Sequence, residues 1–135
     1  MKRNSRLSLA LHSLSHMAGE PDRLQTSSEI AHHAGTNAVV VRRVLGKLRK
    51  AGLLISEKGH AGGWKLSRNP KDITLADIYT ALDEQLVPSP AGLDAPDCSV
   101  EKALQHRVAH ILADVEKTLV QRLATTTLAE LGQPL

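Results

Sequence analysis

Apolar residues at Leu7, Leu11, Leu14 and Ala18 recur at intervals of three and four among polar neighbours. That spacing predicts a helix over about residues 3–18, closed by Gly19 and the turn-forming run Glu20-Pro21-Asp22. In Thr26-Ser27-Ser28-Glu29 a hydroxyl stands three residues ahead of a carboxylate, the pattern of a capping box, so a short second helix is expected over 27–34. Gly35 permits a sharp reversal and Thr36-Asn37 offers a fresh cap for a longer third helix, which runs to about Ala51 before Gly52 ends it. On that helix Val41, Val44, Leu45 and Leu48 share one face and should pack inward, while Val39, Arg43, Gly46 and Lys50 point the other way.

The period then shortens. Leu53-Leu54-Ile55-Ser56 reads as a strand and Trp64-Lys65-Leu66 as its partner across a glycine-rich loop, a β-hairpin. Asn69-Pro70-Lys71-Asp72 is a turn, after which Ile73–Leu82 reads as a fourth helix capped by Thr74. Prolines at 88, 90 and 96 and several acidic residues mark 83–97 as an exposed connection. Leu104, Val108, Ile111, Val115, Leu119 and Leu123 then return at spacings of three and four, predicting a long helix from about Ser99 to Leu123. At about 1.5 Å per residue it would be on the order of 40 Å long, and its stripe buries best against a second copy of itself. Folding back over its own domain is the alternative. The fold expected is mainly α with a small β-hairpin: a winged helix-turn-helix over 1–82, the exposed acidic loop over 83–97, and a long dimerisation helix with a C-terminal tail over 98–135.

Charge sharpens this picture. The net charge of +3 conceals two unlike halves: residues 1–71 carry 13 Lys and Arg against four acids, and residues 72–135 carry four against ten. The basic half should meet a polyanion. Arg42, Arg43, Lys47 and Lys50 cluster on or beside the outward face of the third helix, where Val39 suits a thymine methyl and Gly46 a close approach of backbone to DNA, although packing could explain either. Lys58, Gly59 and His60 lie at the thin tip of the hairpin, a shape fit for a phosphate or a minor groove.

Other function classes find little support. No phosphate loop, nucleophile elbow or metalloprotease signature occurs, so no enzyme is expected. Trp64 and Tyr79 are the only aromatics of the Phe/Trp/Tyr set, too few for the stacking that single-stranded RNA recognition requires. No run approaches the roughly 20 apolar residues of a membrane span, and the N-terminal stripe is interrupted rather than continuous, so a cytoplasmic protein is expected.

The order Gly35-Thr36-Asn37-Ala38-Val39-Val40-Val41-Arg42-Arg43-Val44-Leu45, Lys47-Leu48-Arg49-Lys50-Ala51-Gly52-Leu53, Lys58-Gly59-His60-Ala61-Gly62-Gly63-Trp64-Lys65-Leu66 and Ile73-Thr74-Leu75-Ala76-Asp77-Ile78, with the closing Thr127-Leu128-Ala129-Glu130-Leu131, resembles the bacterial Rrf-type winged-helix transcription regulators. IscR, NsrR and CymR belong to that group. The resemblance implies a homodimer on double-stranded DNA, with the third helix in the major groove, the wing at the minor groove, and the long helix crossing its twin. Carried over by position, Ser28, Asn37, Val39, Val40, Arg42, Arg43, Lys58 and Gly59 fall where the family contacts DNA. Cluster-binding members tend to carry an acid at the place of Arg42, which implies a different base preference here. Those members also hold an iron–sulfur cluster with three cysteines, whereas this chain has Cys98 alone, so no cofactor is expected and the pattern is similar to the YwnA-like branch.

Cys98 falls in the first turn of the long helix if Asp97 caps it. The helix dipole would then favour a thiolate while Asp94, Asp97 and Glu101 oppose one. It is either a redox- or electrophile-sensing thiol or a small residue packed at the dimer interface. His12 with His16, and His106 with His110, stand one helical turn apart, but neither pair has an evident third ligand, and no metal site is assigned. Control by a metal or by a protein partner, for which the 83–97 loop offers an acidic surface, is the alternative to thiol control.

Overall fold

A computed structural model describes residues 6–59, 62–83, 86–87 and 99–131. Among them, α1 (Arg6–Gly19), α2 (Ser27–Ala34) and α3 (Ala38–Lys50) precede the hairpin strands β1 (Leu54–Glu57) and β2 (Gly63–Leu66). A single 3-10 turn (Pro70–Asp72), α4 (Leu75–Leu82), the long α5 (Ser99–Leu123) and the one-turn α6 (Leu128–Leu131) complete the order.

The periodicities become a core. Leu7, Leu14 and Met17 of α1, Val41, Val44, Leu45 and Leu48 of α3, and Ile78 and Leu82 of α4 are buried together. The hydroxyl of buried Ser13 donates to the Leu9 carbonyl at 2.7 Å, so the polar atom carries no unmet desolvation cost. Asn37 caps α3 by accepting the Val40 amide at 3.0 Å. Gly35 adopts the left-handed conformation (φ 69°) that ends α2 and lets the chain reverse.

The capping box read at Thr26 is half formed. Thr26 Oγ1 accepts the Glu29 amide at 3.1 Å, but the Glu29 carboxylate accepts from Arg23 Nη2 at 2.6 Å and from the Thr26 hydroxyl at 3.4 Å rather than from the Thr26 amide. A charged partner outbids a backbone amide. The complete box sits at α4, where Thr74 accepts the Asp77 amide and the Asp77 carboxylate accepts the Thr74 amide. That helix starts at Leu75 rather than Ile73, because the backbone around Thr74 is used elsewhere: Leu75 N–H donates to Thr126 and Leu128 N–H to Ile73. The segment after α5 thereby returns to α4, and Leu128 is 1% exposed within the core that α1, α3 and α4 share.

β1 and β2 pair antiparallel, Leu54 opposite Leu66 and Glu57 opposite Gly63. A third segment joins them at one point, where Gln25 and Trp64 exchange both backbone hydrogen bonds, at 3.0 and 2.8 Å. None of the residues of α5 is buried. Leu119, Val120 and Leu123 pack in part against the core, while Leu104, Val108, Ile111 and Val115, all on described turns, stay exposed.

Candidate nucleic-acid interface

α3 owes its position to its own sequence. Four apolar residues pin one side to α1 and α4, which forces the opposite side outward. On that outward side Val39 is 56% exposed and Val40 36%. Arg42, Arg43 and Lys50 are exposed as well, and Arg42 and Arg43 have no ion-pair partner among the described residues. The first turn of α3 holds no acid, so the positive end of its dipole is uncompensated. Solvent-facing valines beside unpaired guanidinium groups suit base edges and phosphates together.

Gly46 lies on the same helix, and a Cβ built there would meet no atom within 4 Å outside the helix's own backbone. Packing among the described residues therefore does not require this glycine. Ser28 is exposed in the first turn of α2. The Oδ1 of Asn37 is occupied by its capping role. Lys47 differs from its neighbours: its ammonium reaches inward and donates to the Leu82 carbonyl at 3.3 Å, at the end of α4.

The wing is held against the helix-turn-helix by contacts that periodicity does not announce. Besides the backbone pair with Gln25, the Trp64 indole Nε1 donates to Ser27 Oγ at 2.9 Å. Arg49 leans from α3 onto β1, 3.3 Å from Ser56 Oγ. Gly63, with φ 153°, admits the Gln25 backbone, which would stand 2.7 Å from a Cβ. Gly62 is packed similarly, since its Cβ would run into the Glu57 carbonyl. Gly59 carries φ 108° at the tip, and Lys58 beside it is exposed. His60 lies outside the described residues, as does Cys98.

Four of the seven histidines gather where α1 meets α2. The rings of His12 and His16 are 4.6 Å apart, His16 and His33 5.1 Å, and His33 and His32 6.1 Å, centre to centre. Burial first, then the neighbouring His16 and His33, push the His12 imidazole below its ordinary value. His12 and His33 also line an open cavity of about 400 Å³ that reaches Thr36 and Val40 at the start of α3. His106 and His110 are exposed on α5, where His110 faces Asp114 at 3.9 Å. Among the described residues no three His, Cys, Asp or Glu side chains are grouped to hold a metal.

A helix-turn-helix with an exposed basic second helix, flanked by a glycine-tipped hairpin, defines a winged-helix DNA-binding regulator. The family model Rrf2, described as an iron-dependent transcriptional regulator, matches residues 3–134, and the chain belongs to that family of regulators, which are not enzymes. It is 35% identical over 129 residues to the HTH-type transcriptional regulator YwnA of Bacillus subtilis, with 94% of each chain covered. Among solved structures it is similar to T. potens IscR (TM-score 0.66, 26% identity, 97% of this chain and 85% of that one). It also shares its fold with CymR of B. subtilis (TM-score 0.66, 23% identity, 98% and 96%).

The iron in the family's description finds a poor donor set here. Iron–sulfur clusters are held by several thiolates, and this chain supplies the single Cys98. The residues do not fit such a cluster. Among the described residues no helix is long and apolar enough to cross a membrane.

Proposed function

We propose that the protein is a cytoplasmic transcription repressor that binds pseudo-palindromic DNA as a homodimer. The observation that carries this reading is the outward face of α3, where two exposed valines and two arginines with no ion-pair partner among the described residues stand beside a wing clasped to the same body. In this reading α3 enters the major groove and Arg43 makes a bidentate contact to guanine, with Arg42, Val39 and Val40 on neighbouring bases. Ser28 and Asn37 meet phosphates, and Lys58, Gly59 and His60 meet the backbone or minor groove. Lys47, whose ammonium is turned to the Leu82 carbonyl, makes no DNA contact in this reading.

The dimer is supported by Leu104, Val108, Ile111 and Val115, large apolar side chains left in water on one helix, which a twin α5 would cover. Leu119 and Leu123 continue that stripe onto the body itself. Residues 1–82 would then read DNA, 98–135 would join the protomers, and 83–97 would be the exposed acidic connection between them. Cys98 is the redox- or electrophile-sensitive group in this scheme.

Selection of bound fragments from the source genome, followed by footprinting, tests the reading. Two protected half-sites about one helical turn apart are expected. A folded, reduced sample with no preference for any fragment at low salt would overturn it. Replacing Cys98 with Ser should abolish any loss of binding on peroxide treatment, and an unchanged response would remove Cys98 as the sensor.

A further inference from the structure

The last turn of α4 meets α3, α5 and the chain at Leu86. Its final carbonyl, that of Leu82, accepts the Lys47 ammonium of α3 at 3.3 Å. Asp83 follows in the left-handed conformation (φ 53°) and turns the chain back. At Leu86 the backbone amide donates to the hydroxyl of Tyr79 at 2.9 Å. That hydroxyl in turn donates to the Glu116 carboxylate of α5, 2.9 Å from Oε1 and 3.1 Å from Oε2. Tyr79 is 4% exposed.

From this arrangement we infer that the end of α4 is a joint linking α5 to the recognition helix, with Tyr79 and Lys47 as its two positioning residues. The inference rests on the proposed roles of α3 in DNA reading and α5 in pairing. A shift of α5, or of the chain at Leu86, moves Tyr79; α4 is only eight residues long, so its last turn moves with it, and the Leu82 carbonyl carries Lys47 and α3 along. A hydroxyl that accepts from one segment and donates to another couples the two, because each bond polarises the other. Burial, reinforced by Glu116 and opposed by the Leu86 amide, raises the Tyr79 pKa, so the donor to Glu116 is retained at physiological pH. Lys47 at the C-terminal end of α4 also complements the helix dipole there.

A double-mutant cycle tests the joint. Tyr79→Phe, Lys47→Met and the double variant are measured for affinity to a duplex that the wild-type protein itself selects from a random pool. Each single change should weaken binding several-fold, and the double should be no weaker than the poorer single, because both cut one link. Fold-changes that multiply would overturn the joint. The salt slope of Lys47→Met adds a readout: an unchanged slope supports positioning, whereas a drop of about one marks a lost phosphate contact and overturns it.

Hydrogen exchange in the free protein makes the test independent of DNA. Tyr79→Phe should speed exchange over 44–50 in α3, while Thr74→Ala, which loosens α4 from its other end, should not. Equal exchange in the two variants sinks the joint even if the wild-type protein binds no DNA. Failure of the wild-type protein to select any duplex, with exchange behaving as expected, sinks instead the assignment of α3 to DNA.

Discussion

Glycines at two positions divide the demands of folding from those of partner binding. Gly46 is surrounded by open space beyond its own helix and has an ordinary helical backbone. Gly46→Ala should therefore stabilise the fold by about 1 kcal/mol, the propensity difference in a helix interior. If the outward face of α3 meets DNA, the same change should weaken binding, so melting temperature and affinity should move in opposite senses; affinity that holds or improves would remove Gly46 from the interface. Gly63 is the reverse case, since its φ of 153° and the Gln25 backbone leave no room for a side chain. Gly63→Ala should cost on the order of 2–3 kcal/mol in thermal unfolding by straining the backbone and parting the wing from Gln25. His12 supplies a third residue-scale effect. Its folded pKa lies below the ordinary 6.5, so the unfolded chain binds the proton more readily. The stability it contributes is full above that value and declines as pH falls below it and through the folded pKa. Because the imidazole is exposed, solvent screens the effect, and a loss of at most a few °C in melting temperature between about pH 7.5 and 5.5, absent in His12→Gln, is expected.

At the scale of elements, legibility in the sequence follows how many residues encode each feature. α3 declares itself because four buried positions repeat one period and cations stand on the opposite side, so both its extent and its outward side can be read in advance. The hairpin is readable from its glycines. What ties the hairpin down is not, because an isolated bridge at Gln25 and one indole hydrogen bond at Trp64 have no period to detect. The return of Leu128 to the core escapes for the same reason, being one residue on a helix of four. Lys47 misleads because it is spaced like the surface cations of α3, yet a neighbouring helix end attracts it. Arg43 and Lys58 should separate by the kind of contact each makes. Arg43→Ala is expected to cost about 1–3 kcal/mol and relax preference at one base position, read by repeating the selection with the variant. Lys58→Ala should weaken all sequences alike and lower the salt slope by about one.

At the scale of the whole molecule, α5 carries an apolar stripe that is exposed among the described residues. α5 has 25 residues and meets the body through the Glu116 carboxylate, bonded to Tyr79, and through Leu119, Val120 and Leu123 near its C-terminal end. Along the rest of it Leu104, Val108, Ile111 and Val115 face water at 43–61% exposure. Each of those side chains is worth on the order of 1.5–3 kcal/mol when fully buried, so a symmetric pair of such stripes offers more than a transient contact. Ile111→Glu places a charge in the middle of the stripe and should give a monomer in sedimentation at micromolar concentration. The body should keep its melting transition in that variant, because the core residues of α1, α3 and α4 are untouched. DNA affinity should fall steeply, since one half-site holds half the phosphate contacts. A variant that stays dimeric would place the pairing surface elsewhere, while a monomer with undiminished affinity would mean that each protomer reads its site alone.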